Sequence, residues 1–353
     1  MKFSVGGKEV GFGNPVYIVA DMAWSHDGSL ENAKKIVIAA AKAKADAICL
    51  HITSLPDYMV KNYKTTEGGA SRAAVQNLYD FLSEKNLCEK DWVEIISLAD
   101  SLHLSILAMC NDIPSVEFAA VQGVDAFVLS PASISEKSLI YKIAKYQKPV
   151  LVRTGGATLT EIENVINDFK SEGVPNICLV HGFQGFPTEA KEMNLNMISF
   201  LKKAFSLPVG FADHIDANSE LALIIPLIAV AKGADLIEKH ITYNRSLRGL
   251  DYESALNPEE FAKMVKNIRE IETSFGESRW VPLSDRERRY REAVRKRAVA
   301  LKEITKGEKL SVGNVAFKRA NNGLFPEEFE LIKGRKTKRN LTRDEPITWN
   351  CVE

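Results

Sequence analysis

The chain is predicted to be an α/β protein, a closed (β/α)8 barrel followed by a small appended module, on three observations. Eight short apolar or β-branched runs alternate with longer segments of helical period, the pattern of parallel strands joined by crossover helices. Five of the six histidines sit where such a run stops: His26 after VYIVAD, His51 after AICL, His181 after ICLV, His214 after PVGFAD and His240 after LIEK. The 353 residues suffice for a barrel of about 250 residues plus an appendage.

The runs place strands near 16–21, 46–51, 105–110, 125–130, 149–153, 176–181, 207–212 and 235–240. Between them, helical spacing is read over 29–45, 115–123, 158–173, 194–205 and 219–233. Thr158 or Thr160 suits a helix start, and Gly123, Gly173 and Gly233 suit left-handed stops before the next strand. An open doubly wound sheet fits the same alternation; a closed barrel is favoured because it gathers catalytic groups at the C-terminal strand ends, where the histidines fall. Residues 52–92 exceed an ordinary loop and suggest a covering segment.

After a helix at 257–276 the composition becomes charge-dense, with SDRERRYREAVRKR. The expected division is a barrel over 1–276, a linker over 277–297 and a small domain over 298–353 with short strands and turns. The interleaved Glu287 and Glu292 make a solvated, ion-paired linker the preferred reading of the basic cluster Arg286 to Arg297.

Hydrophobic residues form 45% of the chain, and 46 basic residues balance 46 acidic ones, so no overall pull toward nucleic acid or an anionic membrane is expected. No run reaches the roughly 18 apolar residues of a membrane span, and the N-terminus lacks a signal-like apolar core; a soluble cytoplasmic protein is expected. Five scattered cysteines without C-x-x-C spacing argue for reduced thiols rather than a disulfide framework or a structural zinc site.

The segments IVADMAWSHDGSLENAKKIVIAAAKAKADAICLHI, PVLVRTGGATLTEI, LVHGFQGFPTEAKEMNL, GFADH, IEKHIT and RAVALKEITKGEKL with FKRANNGL occur in an order that resembles the sialic acid synthase family along nearly the whole chain. The resemblance implies a TIM barrel followed by an antifreeze-like (SAF) domain. It also implies condensation of phosphoenolpyruvate with the open-chain aldehyde of an amino sugar to give a nonulosonic 2-keto acid, assisted by Mn2+ or Mg2+. On this reading His214 and His240 ligate the metal, two neutral imidazoles with an open face that would polarise a carbonyl. Asp21, Asp213, Glu238 and Asp251 are the acid–base candidates, while His26, His51, Arg153, Thr154, His181, Gln184 and Arg319 are candidates to touch substrate. Arg319 in FKRANNGL corresponds to a family arginine that enters a neighbouring subunit's barrel, implying a domain-swapped homodimer.

The chain departs from the family around the phosphate of phosphoenolpyruvate. Cys49-Leu50-His51 stands where the family has Lys-Phe-Gln, and Val128 stands at a lysine position, so two cations are gone. Arg153, with His51 and the backbone of Thr154-Gly155-Gly156, is expected to rebuild an anion site, with an ion pair across the barrel mouth as the alternative role for Arg153. A metal-dependent aldolase or lyase with a changed donor, or a non-catalytic sugar-binding protein, are the other readings. Lys239 falls on the opposite strand face from Glu238 and His240, which suggests a structural ion pair.

Overall fold

A computed structural model describes residues 3–11, 13–63, 78–183, 185, 187–277 and 279–353. Its described residues divide into two compact units, 1–275 and 276–353.

The first unit is a closed barrel of eight parallel strands: β3 (Tyr17–Ala23), β4 (Ala47–Ile52), β5 (Ser105–Cys110), β6 (Ala126–Leu129), β7 (Val150–Arg153), β8 (Ile177–His181), β9 (Val209–Asp213) and β10 (Leu236–His240). Closure is made by β10 against β3, with Leu236 opposite Tyr17 and His240 opposite Asp21, which excludes the open-sheet alternative. These strands are short and almost wholly buried because both faces are covered, one by the helices and one by the barrel interior.

Alternation sorts the side chains. Ile18, Ile48, Phe127, Val152, Leu179, Phe211 and Ile237 pack outward beneath the helices. Val19, Cys49, Leu107, Val128, Leu151, Val180, Ala212 and Leu236 fill the interior. Beneath them sits a hairpin absent from the sequence reading, β1 (Phe3–Val5) paired with β2 (Lys8–Val10), whose Phe3, Val5 and Val10 join the interior cluster. At its turn, Gly6 lies so close to Ser105 that an added Cβ would meet the Ser105 hydroxyl at 2.0 Å.

The helices follow the chemistry of their ends. Ser29 caps Leu30–Lys42, and Thr158 caps Leu159–Ser171 in a reciprocal arrangement with Glu161. The segment expected as one helix over 219–233 divides into a short 3-10 turn, Glu220–Leu223, and a helix, Ile225–Ala231, with Pro226 opening the second piece. The long connection after β4 contains helices Leu55–Tyr58, Leu78–Lys85 and Glu89–Ser101.

Alternation also explains one misplaced expectation. Asp213 lies on the face of β9 shared with Phe211, and Lys239 lies on the face of β10 shared with Ile237, so both point toward the helical layer rather than the barrel interior. Their charged atoms are 2.9 Å apart and fully buried, which corrects the assignment of Asp213 as an acid–base group and gives Lys239 the structural pairing. Lys239→Met should destabilise the protein by about 3–5 kcal/mol by leaving Asp213 uncompensated, whereas Lys239→Met/Asp213→Leu should recover most of the loss. Equilibrium urea unfolding of the two variants checks this, and equal destabilisation of single and double variants would contradict it.

The second unit carries a helix, Asp285–Val294, within the expected linker, and a two-stranded pair, β11 (Arg297–Ala300) with β12 (Val315–Lys318). Its own core includes Ala298, Ile304, Leu310, Phe329, Leu341 and Ile347. Arg295 and Arg297 each lie over the Phe325 ring, giving part of the basic cluster a packing role.

Candidate active site

Asp21 stands at the centre of the C-terminal mouth because β3 bends there. The register with β4 shifts between Asp21 and Ala23, Ala23 has φ 42°, and the Ala23 amide donates to Asp21 Oδ1 at 3.0 Å. A bulge at a barrel rim re-aims a side chain in this way. The fully buried carboxylate meets Arg153 Nη2 at 2.6 Å through Oδ2 and His51 Nε2 at 3.1 Å through Oδ1, with His240 Nε2 3.5 Å from Oδ2. The same Arg153 nitrogen lies 2.7 Å from Glu238 Oε1, so one guanidinium bridges carboxylates from β3 and β10. Its Nη1 lies 3.8 Å from the Met109 sulfur.

The two carboxyls are driven apart electrostatically. Burial pushes Asp21 up, but attraction to His51, Arg153 and His240 outweighs it and holds Asp21 well below the usual carboxylate range. For Glu238 burial prevails and raises its proton affinity; Arg153 opposes this and Asp21 reinforces it. A carboxylate beside a carboxyl of raised proton affinity is an arrangement suited to acid–base chemistry.

His214 and His240 stand together, their ring centres 5.2 Å apart at 77°. Nitrogen–metal bonds of about 2.0–2.1 Å place two rings on one tetrahedral ion with centres roughly 5 Å apart, so the pair fits a shared cation. His214 Nδ1 donates to the Phe183 carbonyl at 2.9 Å, which leaves Nε2 as its ligating nitrogen, and Ser254 Oγ donates to the His214 carbonyl at 2.7 Å. Burial lowers the pKa of both rings, most strongly for His214, so both are neutral as ligands require. Asp251, in the loop after β10 with φ 60°, and Asp21 oppose that lowering at His240.

The expected anion site is not assembled. Arg153 is bound by two carboxylates, His51 approaches Asp21, and the Thr154 amide and hydroxyl both donate to the Val180 carbonyl, at 2.9 and 3.3 Å. The ion pair across the mouth is the arrangement found. Sequence reasoning missed Cys49, which faces inward level with Asp21 and whose thiol is pushed well up by burial and by the Asp21 charge. Its signal was its spacing of two from His51, which places both on one strand face.

The remaining candidates are not all gathered at this centre: His181 shares the outward face of β8 with Leu179, which corrects its assignment as a substrate contact. His181 Nε2 donates to the Met193 carbonyl at 2.9 Å beside Phe211, Gln184 lies outside the described residues, and Arg319 is exposed just after β12 in the second unit. His26 is buried with its ring 5.6 Å from Trp92, and its Nδ1 accepts the Gly28 amide at 3.1 Å. Burial and the neighbouring His51 lower its pKa from 6.5 to about 3. The unfolded chain therefore binds a proton between pH 6.5 and 3 that the folded chain refuses, so folding stability falls as pH drops through that window. At pH 5 the contribution is about 2 kcal/mol. His26→Gln should flatten the stability profile between pH 7.5 and 5 in denaturant titrations; an unchanged slope would refute it.

Comparison with known proteins follows the geometry. Residues 36–279 match the NeuB family and residues 295–353 match the SAF domain. An N,N'-diacetyllegionaminic acid synthase of Campylobacter jejuni is 31% identical, covering 94% of this chain and 98% of its own, and one of Legionella pneumophila is 28% identical, covering 99% and 98%. The solved N-acetylneuraminic acid synthetase of Leptospira borgpetersenii superposes with TM-score 0.71 at 27% identity over 83% of this chain and 97% of its own. No helix among the described residues is long and apolar enough to cross a membrane. An eight-stranded barrel carrying paired histidines at its mouth, followed by a SAF domain, thus makes this chain an enzyme of the NeuB family.

Proposed function

We propose that this chain joins the three-carbon unit of phosphoenolpyruvate to the aldehyde carbon of an open-chain amino sugar, giving a nonulosonic acid and inorganic phosphate. The names of the legionaminic and sialic acid synthases support the substrate class. The observation that carries the reading is the His214–His240 pair beside the Asp21–Arg153–Glu238 bridge.

His214 and His240 would hold a divalent ion, manganese or magnesium, which when bound polarises the aldehyde carbonyl. In the reaction a bond forms between the donor's C3 and the aldehyde carbon, the aldehyde oxygen takes a proton, water adds at C2 and phosphate departs. Glu238 is placed to supply that proton: burial raises its proton affinity, and Oε2 has no hydrogen-bond partner among the described residues. Asp21 stays ionised and orients Arg153 and the water that attacks C2. Arg319 would belong to the partner subunit's site in a domain-swapped homodimer. The protein is proposed to act in the cytoplasm.

A second reading changes the donor. Arg153 already faces two carboxylates, which leaves little free positive charge for a phosphate and favours a non-phosphorylated keto acid such as pyruvate. Titration calorimetry of phosphoenolpyruvate with Mn2+ present, followed by phosphate release across a panel of hexosamines, separates the two. Phosphate released in step with sugar consumption upholds the first; pyruvate consumed with no phosphate released replaces it with the second.

A further inference from the structure

Cys49 and His51, two residues apart on β4, turn one face into the barrel, and Asp21 on β3 lies opposite Cys49 in the parallel register. One ligand atom from each of the three lies within 4.8 Å of the other two. Donor atoms that share one divalent ion at about 2.0–2.3 Å stand roughly 3–4 Å apart, so this triangle needs only a slight contraction to hold one. Asp21 Oδ1 and His51 Nε2 already have that spacing, 3.1 Å, as an ion pair with hydrogen-bond character that a shared cation would replace.

The charges agree. The Arg153 guanidinium faces Asp21 and Glu238 in a buried pocket. The Cys49 thiolate and the Asp21 carboxylate together would offset the two charges of a divalent ion in this low-dielectric pocket.

We propose that Asp21, Cys49 and His51 form a thiolate-containing site for a borderline-soft divalent cation such as zinc, separate from the imidazole pair of His214 and His240. Sulfur, imidazole and carboxylate together select zinc or cobalt over magnesium, a preference that two histidines alone do not impose. Asp21 divides the two sites, with Oδ1 toward His51 and Oδ2 toward Arg153 and His240. The inference goes beyond the proposed condensation and does not require it.

Cobalt(II) is the probe, added to the full-length protein stripped of metal, in a Cys88→Ser background that removes the exposed thiol. Thiolate-to-cobalt charge transfer gives a near-ultraviolet absorption band that nitrogen and oxygen ligands do not. The band should appear in this protein, persist when His214→Ala is added, disappear with Cys49→Ser and be displaced by zinc. His51→Gln should weaken cobalt binding at least tenfold, which supplies a second variant if Cys49→Ser does not fold. Failure to retain cobalt, cobalt bound without the band, or a band that survives Cys49→Ser would each overturn the proposal.

Discussion

Arg153→Met is expected to destabilise the barrel by about 3–5 kcal/mol, because it leaves Asp21 and Glu238 buried without the cation both carboxylates face. The thermal midpoint should fall by on the order of 10 °C. The pH dependence gives the cause. Without the guanidinium the folded-state carboxyls bind protons more tightly than in the unfolded chain, so the variant gains relative stability as pH falls and its deficit narrows toward pH 4. Arg153→Met/Glu238→Gln should recover part of the loss at neutral pH, since one of the two opposed charges is gone. Arg153→Lys should recover less than a full bridge, because an ammonium is a point donor without the guanidinium's planar fork. Urea unfolding at pH 7.5 and pH 4.5 is the measurement. A single variant within 1 kcal/mol of wild type at both values would show that the bridge does not hold the mouth together.

His214→Ala is expected to reduce turnover by at least about 10³-fold, roughly 4 kcal/mol of barrier, with little change in unfolding free energy measured without metal. Activity would be followed as phosphate release from phosphoenolpyruvate with the best hexosamine acceptor. The ring's bond from Nδ1 to the Phe183 carbonyl and its edge contact with His240 are both local to the mouth, so the fold should survive their loss. His214→Gln keeps a polar side chain and should remain as inactive as alanine. Turnover within tenfold of wild type in either variant would remove the imidazole pair from the chemistry.

The strands were legible because a parallel barrel buries each on both faces, which writes runs such as AICL and ICLV into the chain. The hairpin at 3–10 was not, because three-residue strands carry too few residues to show a period. Asp213 was misplaced although the signal was present: parity along β9 sets it opposite to Ala212 and with Phe211. Glu238 and His240 share the strand face that LIEKHIT gives them by a spacing of two. What no local pattern contains is the meeting of Asp21, Arg153 and Glu238. They come from the first, fifth and eighth strands, and only the stagger of the closed barrel brings them together.

The hairpin under the barrel has a kinetic consequence. With Phe3, Val5 and Val10 packed into the interior cluster, the described residues close the barrel floor, so small molecules would reach Asp21 from the rim. Traffic through one doorway is last in, first out: the reactant seated deeper must load before the one above it, and a product lodged above blocks the exit of anything below. A floor closed in this way would favour an ordered sequence of arrival and departure, although the hairpin stands far from the groups at the mouth.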